Sequence, residues 1–335
     1  MALTAVLAPA PALAVDYLAP SRLHDALGDP QVLAVLAFAG GATNHADGDS
    51  RLFRVGLQPV GEDLLEVWRG QAPVRHGRDG DIAWSTDGEV AFGALEVDEA
   101  AHGGIEAAGE YAYQRLGEFL VGHAQPHLLR IWNYFDAITA GDGDEERYRR
   151  FCVGRARGIG AIDTNILPAA TAIGRVDGVR RLQLYWLSAR RPGTPLENPR
   201  QVSAYHYPRR YGPQPPSFAR AMLPPDAQDM PLMLSGTASV VGHETLHVGQ
   251  PVAQLEETFS NFAALIEAAR RRQPSVPSRF DAHSRLKVYV ARQEDLAEVQ
   301  STLREHLSPA VPLLMLHAAV CRRDLAVEID GWHGG

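Results

Sequence analysis

One order of elements occurs twice along these 335 residues, and it limits the fold more than any other feature. In the second half, Leu232–Ala238 is a short apolar run passing into a Gly turn. Residues 254–272 place Leu255, Phe259, Phe262, Leu265 and Ile266 at helical spacing, and 285–291 alternate as a strand. Residues 293–307 form a second helix, with Leu296, Val299, Leu303 and Leu307 on one face, and 312–320 and 324–329 read as strands. The first half runs in the same order: a strand at 33–41 ending in Gly-Gly, a helix at 106–122, a strand at 128–135, a helix at 145–157, and strands at 168–173 and 179–189. Pro168 and Pro312 open equivalent strands 144 residues apart. Two copies of such a β-β-α-β-α-β-β unit make an α+β protein. Element order alone leaves two unrelated α/β domains as the alternative. The break falls in the polar Arg190-Arg191-Pro192-Gly193-Thr194-Pro195 connection, so the expected domains are 1–195 and 196–335. The Pro-rich stretch at 205–225, with Tyr and Arg interleaved, reads as an ordered loop lining something.

The charge distribution narrows the ligands. Lys+Arg number 32 against 40 Asp+Glu, and a net charge of −8 makes nucleic acid and anionic membranes poor partners. Yet residues 147–220 hold 14 Arg and only three acids (Asp163, Asp177 and Glu197), a local +11. Guanidinium groups pair bidentately with carboxylates. The segment therefore suits a small, multiply carboxylated ligand, with two to four of its 14 Arg touching it and the others on solvated faces. Lys287 is the single lysine, which excludes a phosphate-cradling G-x-x-x-x-G-K loop and leaves Schiff-base chemistry one residue to rest on. Cys152 and Cys321 make no metal spacing and fit a reduced, cytoplasmic protein. No apolar run approaches the ~18–20 residues of a membrane span. The apolar N-terminus lacks the basic region of a leader, its first Arg being Arg22.

Two motifs are decoys. His243-Glu244-Thr245-Leu246-His247 matches H-E-x-x-H, but zinc binding needs both His on one helical face. The flanking Val240-Val241-Gly242 and Val248-Gly249-Gln250-Pro251 favour a loop after a strand. Gly154, Gly158 and Gly160 follow a helix rather than a strand, and Asp163 occupies the last glycine position of a dinucleotide fingerprint. Cys321 reads as inert packing or a nucleophile. Glu328 interrupts the apolar Leu325-Ala326-Val327-Glu328-Ile329. It is either a solvent-facing alternate or, in a half-buried pocket, a general acid of raised pKa.

Ser235-Gly236-Thr237-Ala238-Ser239, Gln254-x-x-Glu257-Thr258-x-x-Asn261 and Val327-Glu328-Ile329 resemble a RidA/YjgF-type domain. Longer blocks resemble the chorismatases: Arg130-Ile131-Trp132-Asn133-Tyr134, Arg147-Tyr148-x-x-Phe151-Cys152-Val153-Gly154-Arg155, Asn198-Pro199-Arg200-Gln201-Val202-Ser203-Ala204-Tyr205, Tyr207-Pro208-x-x-Tyr211-Gly212-Pro213 and Ser217-Phe218-Ala219-Arg220-Ala221. These blocks span about residue 128 to the end, and the first 100 residues add little. The resemblance implies two RidA/YjgF-like (chorismate-mutase-like) sheet-plus-helices halves in one chain, the first degenerate and the second carrying the catalytic Glu. RidA deaminases hold the substrate carboxylate with an Arg where this chain has Leu313, which argues against deamination.

Chorismatases split chorismate, a dicarboxylate with an enolpyruvyl ether, into pyruvate and a cyclic acid. The resemblance implies Glu328 as the catalytic acid and Cys321 beside the ring. It implies Arg155, Tyr205, Tyr207, Arg220, Gly236 and Thr237 as substrate-binding residues. Gly236 and Cys321 match the branch that works intramolecularly and gives 3-hydroxybenzoate, some members also releasing 4-hydroxybenzoate. The hydrolytic branch, giving a dihydroxycyclohexadiene carboxylate, is the alternative, and a non-catalytic anion-binding module is a second. No metal or organic cofactor is expected, and the expected state is a cytoplasmic monomer. The site is expected between the halves, because the Arg/Tyr segment straddles residue 195.

Overall fold

Strand pairing sorts the chain into two units of one topology and a third, smaller sheet. The computed structural model describes residues 11–44, 48–160, 163–225 and 229–334; the first ten residues, where the leader argument falls, lie outside the described residues. In the first unit, Arg75–Asp79, Ile82–Thr86 and Val90–Asp98 form a meander. Helix Ile105–Gly122, strand His127–Asp136, helix Arg147–Ile159 and strand Ala169–Arg175 follow, and Arg181–Ala189 closes the unit. That last strand inserts between 90–98 and 127–136, antiparallel to both, while 127–136 and 169–175 run parallel across their crossover helix.

The second unit repeats this. Thr194–Leu196, Ala221–Leu223 and Leu232–Ala238 are followed by helix Pro251–Arg272, strand Arg285–Val290, helix Leu296–His306 and strand Leu313–His317. Val327–His333 inserts between 232–238 and 285–290, and 285–290 runs parallel to 313–317. The strands that begin after Pro168 and Pro312 thus hold equivalent places. Leu313 opens its strand and packs half-buried against the second unit's helices.

One register needs correcting. The apolar strand expected at 33–41 is Val32–Phe38, but it belongs to the third sheet; the partner of 232–238 in the repeat is Val90–Asp98. Both are buried apolar runs, and a local pattern does not say which sheet a strand joins. The third sheet takes the order 13–18, 65–70, 32–38, 52–55, with the short helix Leu23–Gly28 over its outer face. Gln58–Pro59 leaves it to extend the edge of the second unit at 316–317.

Helices 105–122 and 147–159 cover the outer face of the first unit, and 251–272 and 296–306 cover that of the second. The inner faces meet the third sheet in one core. Its centre is three tryptophans, one from each sheet: Trp68 lies 5.5 Å from Trp132 and 5.3 Å from Trp332, which are 5.6 Å apart. A buried side chain of this size contributes about 4–6 kcal/mol by area. Each indole N–H finds a carboxylate: Trp68 and Trp332 donate to Glu66 at 2.7 and 3.1 Å, and Trp132 donates to Asp330 at 3.0 Å. Lys287 pairs with Glu66 at 2.7 Å, both fully buried. The lone lysine is therefore an internal cross-link between sheets.

Candidate active site

The seam between the two units is made by the edge strand Ala169–Arg175 of the first. The Ala170 amide donates to Ser235 Oγ at 2.9 Å, and the Gly236 amide donates to Thr171 Oγ1 at 3.1 Å. Opposite Asp330, the strand 232–238 carries a bulge: its register against 327–333 shifts between Leu234 and Thr237. A cavity of about 390 Å³ opens here, with walls from both units, among them Asn133, Arg155, Thr171, Arg220, Gly236 and Glu328.

Glu328 points into this cavity from the last strand, 5% exposed. Burial is the main cause that pushes its carboxyl up to about 8 from 4.5. The charge of Asp330, two residues along on the same strand face, pushes the same way, while Arg130, Arg220 and Arg322 pull against it. Glu328 is thus a carboxylic acid that keeps its proton at neutral pH. Gly236 makes its seat: a Cβ there would sit 2.0 Å from Glu328 Oε1 and 3.4 Å from Thr171 Oγ1. Cys321 lines the same cavity, and burial, then the Glu328 charge, push its thiol well above the ordinary range. It is a small neutral wall and not a ready thiolate.

Thirteen of the segment's 14 arginines divide between the cavity wall and ion pairs. Arg149, Arg155 and Arg220 line the cavity. Ten others pair with acids elsewhere, for example Arg147 with Glu99 at 2.7 Å and Arg175 with Asp177 at 2.7 Å. Arg155 stands on helix 147–159 against the Tyr113 and Phe151 rings, 4% exposed, and its Nη2 has no hydrogen-bond partner. Arg220 donates to the Tyr207 hydroxyl at 2.8 Å and to the Val202 carbonyl at 2.9 Å. Arg322 lies over the rings of Tyr211 and Tyr207, 4.4 and 5.2 Å from their centroids. The Pro-rich stretch is indeed an ordered wall, contributing Tyr207, Tyr211, Pro216, Phe218 and Arg220.

Two of the expected residues lie outside the cavity wall. Tyr205 does not line the cavity; it sits in the turn Ala204–His206 with its ring against His206. Thr237 does not line it either: it follows Gly236 on the strand, so its side chain leaves by the other face and its hydroxyl donates to the Ser235 carbonyl at 3.0 Å. Residues that sequence reasoning missed are Arg149, Tyr211, Arg322 and Thr171. Tyr211 stands in a block already singled out, and Arg322 follows Cys321 directly, so both were within reach. Thr171 gave no signal, because its part depends on a contact between units.

The decoys resolve by conformation. Glu244–Thr245 is a strand of a two-residue hairpin with Val240–Val241, and His247 has a left-handed φ of 55°, so H-E-x-x-H is not helical. Gly154 and Gly158 let two helices touch, since a Cβ would lie 1.9 and 2.4 Å from the carbonyls of Glu106 and Glu110.

Residues 66–188 match the family model described as chorismatase FkbO/Hyg5-like, N-terminal. A protein of Streptomyces rapamycinicus named chorismatase is 36% identical over 91% of this chain and 93% of its own length. The chain belongs to the chorismatase family. A 3-hydroxybenzoate synthase of Streptomyces hygroscopicus is 38% identical over 82% of this chain and 83% of its own. A chorismatase crystal structure superposes with a TM-score of 0.86 at 34% identity, covering 97% of this chain and 99% of that one. That breadth takes in the third sheet, so the strands at 13–18, 32–38, 52–55 and 65–70 share the chorismatase architecture although the first 100 residues carried little of the resemblance. No helix among the described residues is long and apolar enough to cross a membrane.

Proposed function

We propose that this chorismatase converts chorismate to 3-hydroxybenzoate and pyruvate, with Glu328 as the acid. The observation that carries the reading is a buried carboxylic acid, protonated at neutral pH, in a cavity edged by Arg149, Arg155, Arg220 and Arg322. Protonation of the enolpyruvyl methylene by Glu328 turns it into a methyl group and leaves an oxocarbenium ion at the ether carbon. The ring C–O bond of the ether then breaks: pyruvate leaves with the ether oxygen, and the oxygen of the neighbouring ring hydroxyl moves to the carbon it vacates. The ring gives up one proton as it becomes aromatic, which restores Glu328. Chorismate minus pyruvate is a hydroxybenzoic acid, so the balance closes without redox. The cationic groups serve the two carboxylates, each charge-assisted pair contributing about 1.5–3 kcal/mol. Tyr207, held by Arg220, presents a hydroxyl to the polar edge of the substrate.

Gly236 and Cys321 support the intramolecular branch, because small side chains leave the ring oxygen room to move. In this reading the protein acts in the cytoplasm as a monomer: both cysteines are unpaired, and one chain supplies both sides of the cavity. The test mixes purified protein with chorismate, without added metal or cofactor, and follows the products by chromatography. Pyruvate with 3-hydroxybenzoate is the expected result. Pyruvate with a non-aromatic diene would move the protein to the hydrolytic branch, and no pyruvate would leave an anion-binding module.

A further inference from the structure

Thr171 lies on the first unit, yet its hydroxyl is wired into the strand that seats the acid. Oγ1 donates to Asp330 Oδ2 at 2.7 Å and accepts from Arg130 Nη2 at 2.6 Å and from the Gly236 amide at 3.1 Å. One donor and two acceptor sites are all that a hydroxyl has, so Thr171 has none left for Glu328 or for substrate. Its direction is set from outside. Asp330 is fully buried and also accepts from Trp132 at 3.0 Å and Tyr289 at 2.8 Å, with Arg130 3.2 Å away. Arg130 is itself fully buried over the Trp132 ring, 4.1 Å from its centroid.

The bulge explains why this matters. An extra residue in a strand leaves an amide out of the ladder, and a buried amide is stable only where another acceptor takes it. Here the Gly236 amide is taken by Thr171 instead of by the neighbouring strand. The Gly236 Cα then stands directly beneath the Glu328 carboxyl. We propose that Thr171, oriented by Asp330 and Arg130, is a positioning residue that fixes the Gly236 bulge and thereby the place of the Glu328 carboxyl group. The proposal rests on Glu328 being the acid. It makes the contact between units a condition of catalysis, because the acid and the group that seats it come from different sheets.

The test compares Thr171→Val, which keeps the shape and removes the hydroxyl, with Thr171→Ser, which keeps the hydroxyl. A misplacement of about 1 Å costs about 10²-fold in rate, so Thr171→Val should lose about that much kcat with KM little changed. Thr171→Ser should recover most of it. The pH profile adds a readout that general loosening would not move. The charged groups around Glu328 are Asp330, Arg130, Arg220 and Arg322, with Cys321 and Tyr148 nearby. Thr171→Val lets the bulge open and water reach Glu328, so the alkaline limb of kcat should move to lower pH. Where Thr171→Val proves insoluble, Thr171→Ala serves the same comparison against Thr171→Ser. A hydroxyl-free variant with wild-type kcat and alkaline limb overturns the proposal, as does a Ser variant no better than Val or Ala. A wild-type protein that releases no pyruvate from chorismate overturns instead the reading on which the proposal rests.

Discussion

Replacing Glu328 by Gln tests both the acid and the energy of burying it. In the fold this carboxyl titrates at about 8, against 4.5 for a free glutamate. Between those values the unfolded chain has released a proton that the folded chain retains. Wild-type stability therefore falls as pH rises from 4.5 to about 8, and this group adds no slope outside that window. The interval from 4.5 to about 8, at about 1.4 kcal/mol per pH unit, amounts to about 5 kcal/mol. Relaxation of the surroundings around the charged form lowers the expected loss to about 2–4 kcal/mol. Gln keeps the shape of the side chain and cannot ionise. Glu328→Gln should thus lose that slope and be the more stable protein at pH 8, while its chorismate turnover falls by about 10²–10⁴ for want of a general acid. The assays are urea unfolding of both proteins at pH 5 and pH 8 and initial rates of pyruvate release. Parallel stability curves for the two proteins, or wild-type turnover by the Gln variant, would refute the reasoning.

The other predictions test single contacts. Gly236→Ala puts a methyl group 2.0 Å from Glu328 Oε1; the carboxyl must swing aside, and kcat should drop by about 10²-fold with a changed product ratio and little loss of Tm. Arg220→Met removes a cation from the cavity and the donor that holds Tyr207; steady-state kinetics should show KM raised by about 10–100-fold. Lys287→Met removes the one cation that pairs with Glu66 in the common core and leaves its carboxyl only the Trp68 and Trp332 indoles, and urea denaturation should report a loss of about 3–5 kcal/mol.

The legible part of this protein was what acts locally along the chain. Leu255, Phe262 and Leu265 recur at helical spacing and do form the buried face of helix 251–272. Flanking Val, Gly and Pro were enough to reject a helical H-E-x-x-H, and His247 with positive φ bears that out. The resemblance in the blocks from about residue 128 onward led to the chorismatases. Glu328, Cys321, Arg155, Tyr207, Arg220 and Gly236 all meet in one cavity. Side-chain direction was harder to read. Tyr205 and Thr237 lie one or two residues from true wall positions, and a turn or a bulge shifts which neighbour faces inward.

The sequence by itself determined the elements, their repeated order and the residue types that the chemistry needs, because helical and strand periodicities are set within a few residues. Tertiary structure alone decided which buried strand takes the place of 232–238 in the first unit, since Val32–Phe38 and Val90–Asp98 both carry buried apolar runs and only sheet closure separates them. It also decided the inner polar set. Glu66, Lys287, Arg130 and Asp330 are of residue types that usually stay at the surface, yet each is fully buried. Burial is tolerable only where partners from other sheets arrive within hydrogen-bond reach. Those partners lie up to 266 residues away along the chain, as Trp332 does from Glu66. The same long-range closure brings Thr171 to Gly236 and makes Glu328 an acid, through packing that no local pattern records.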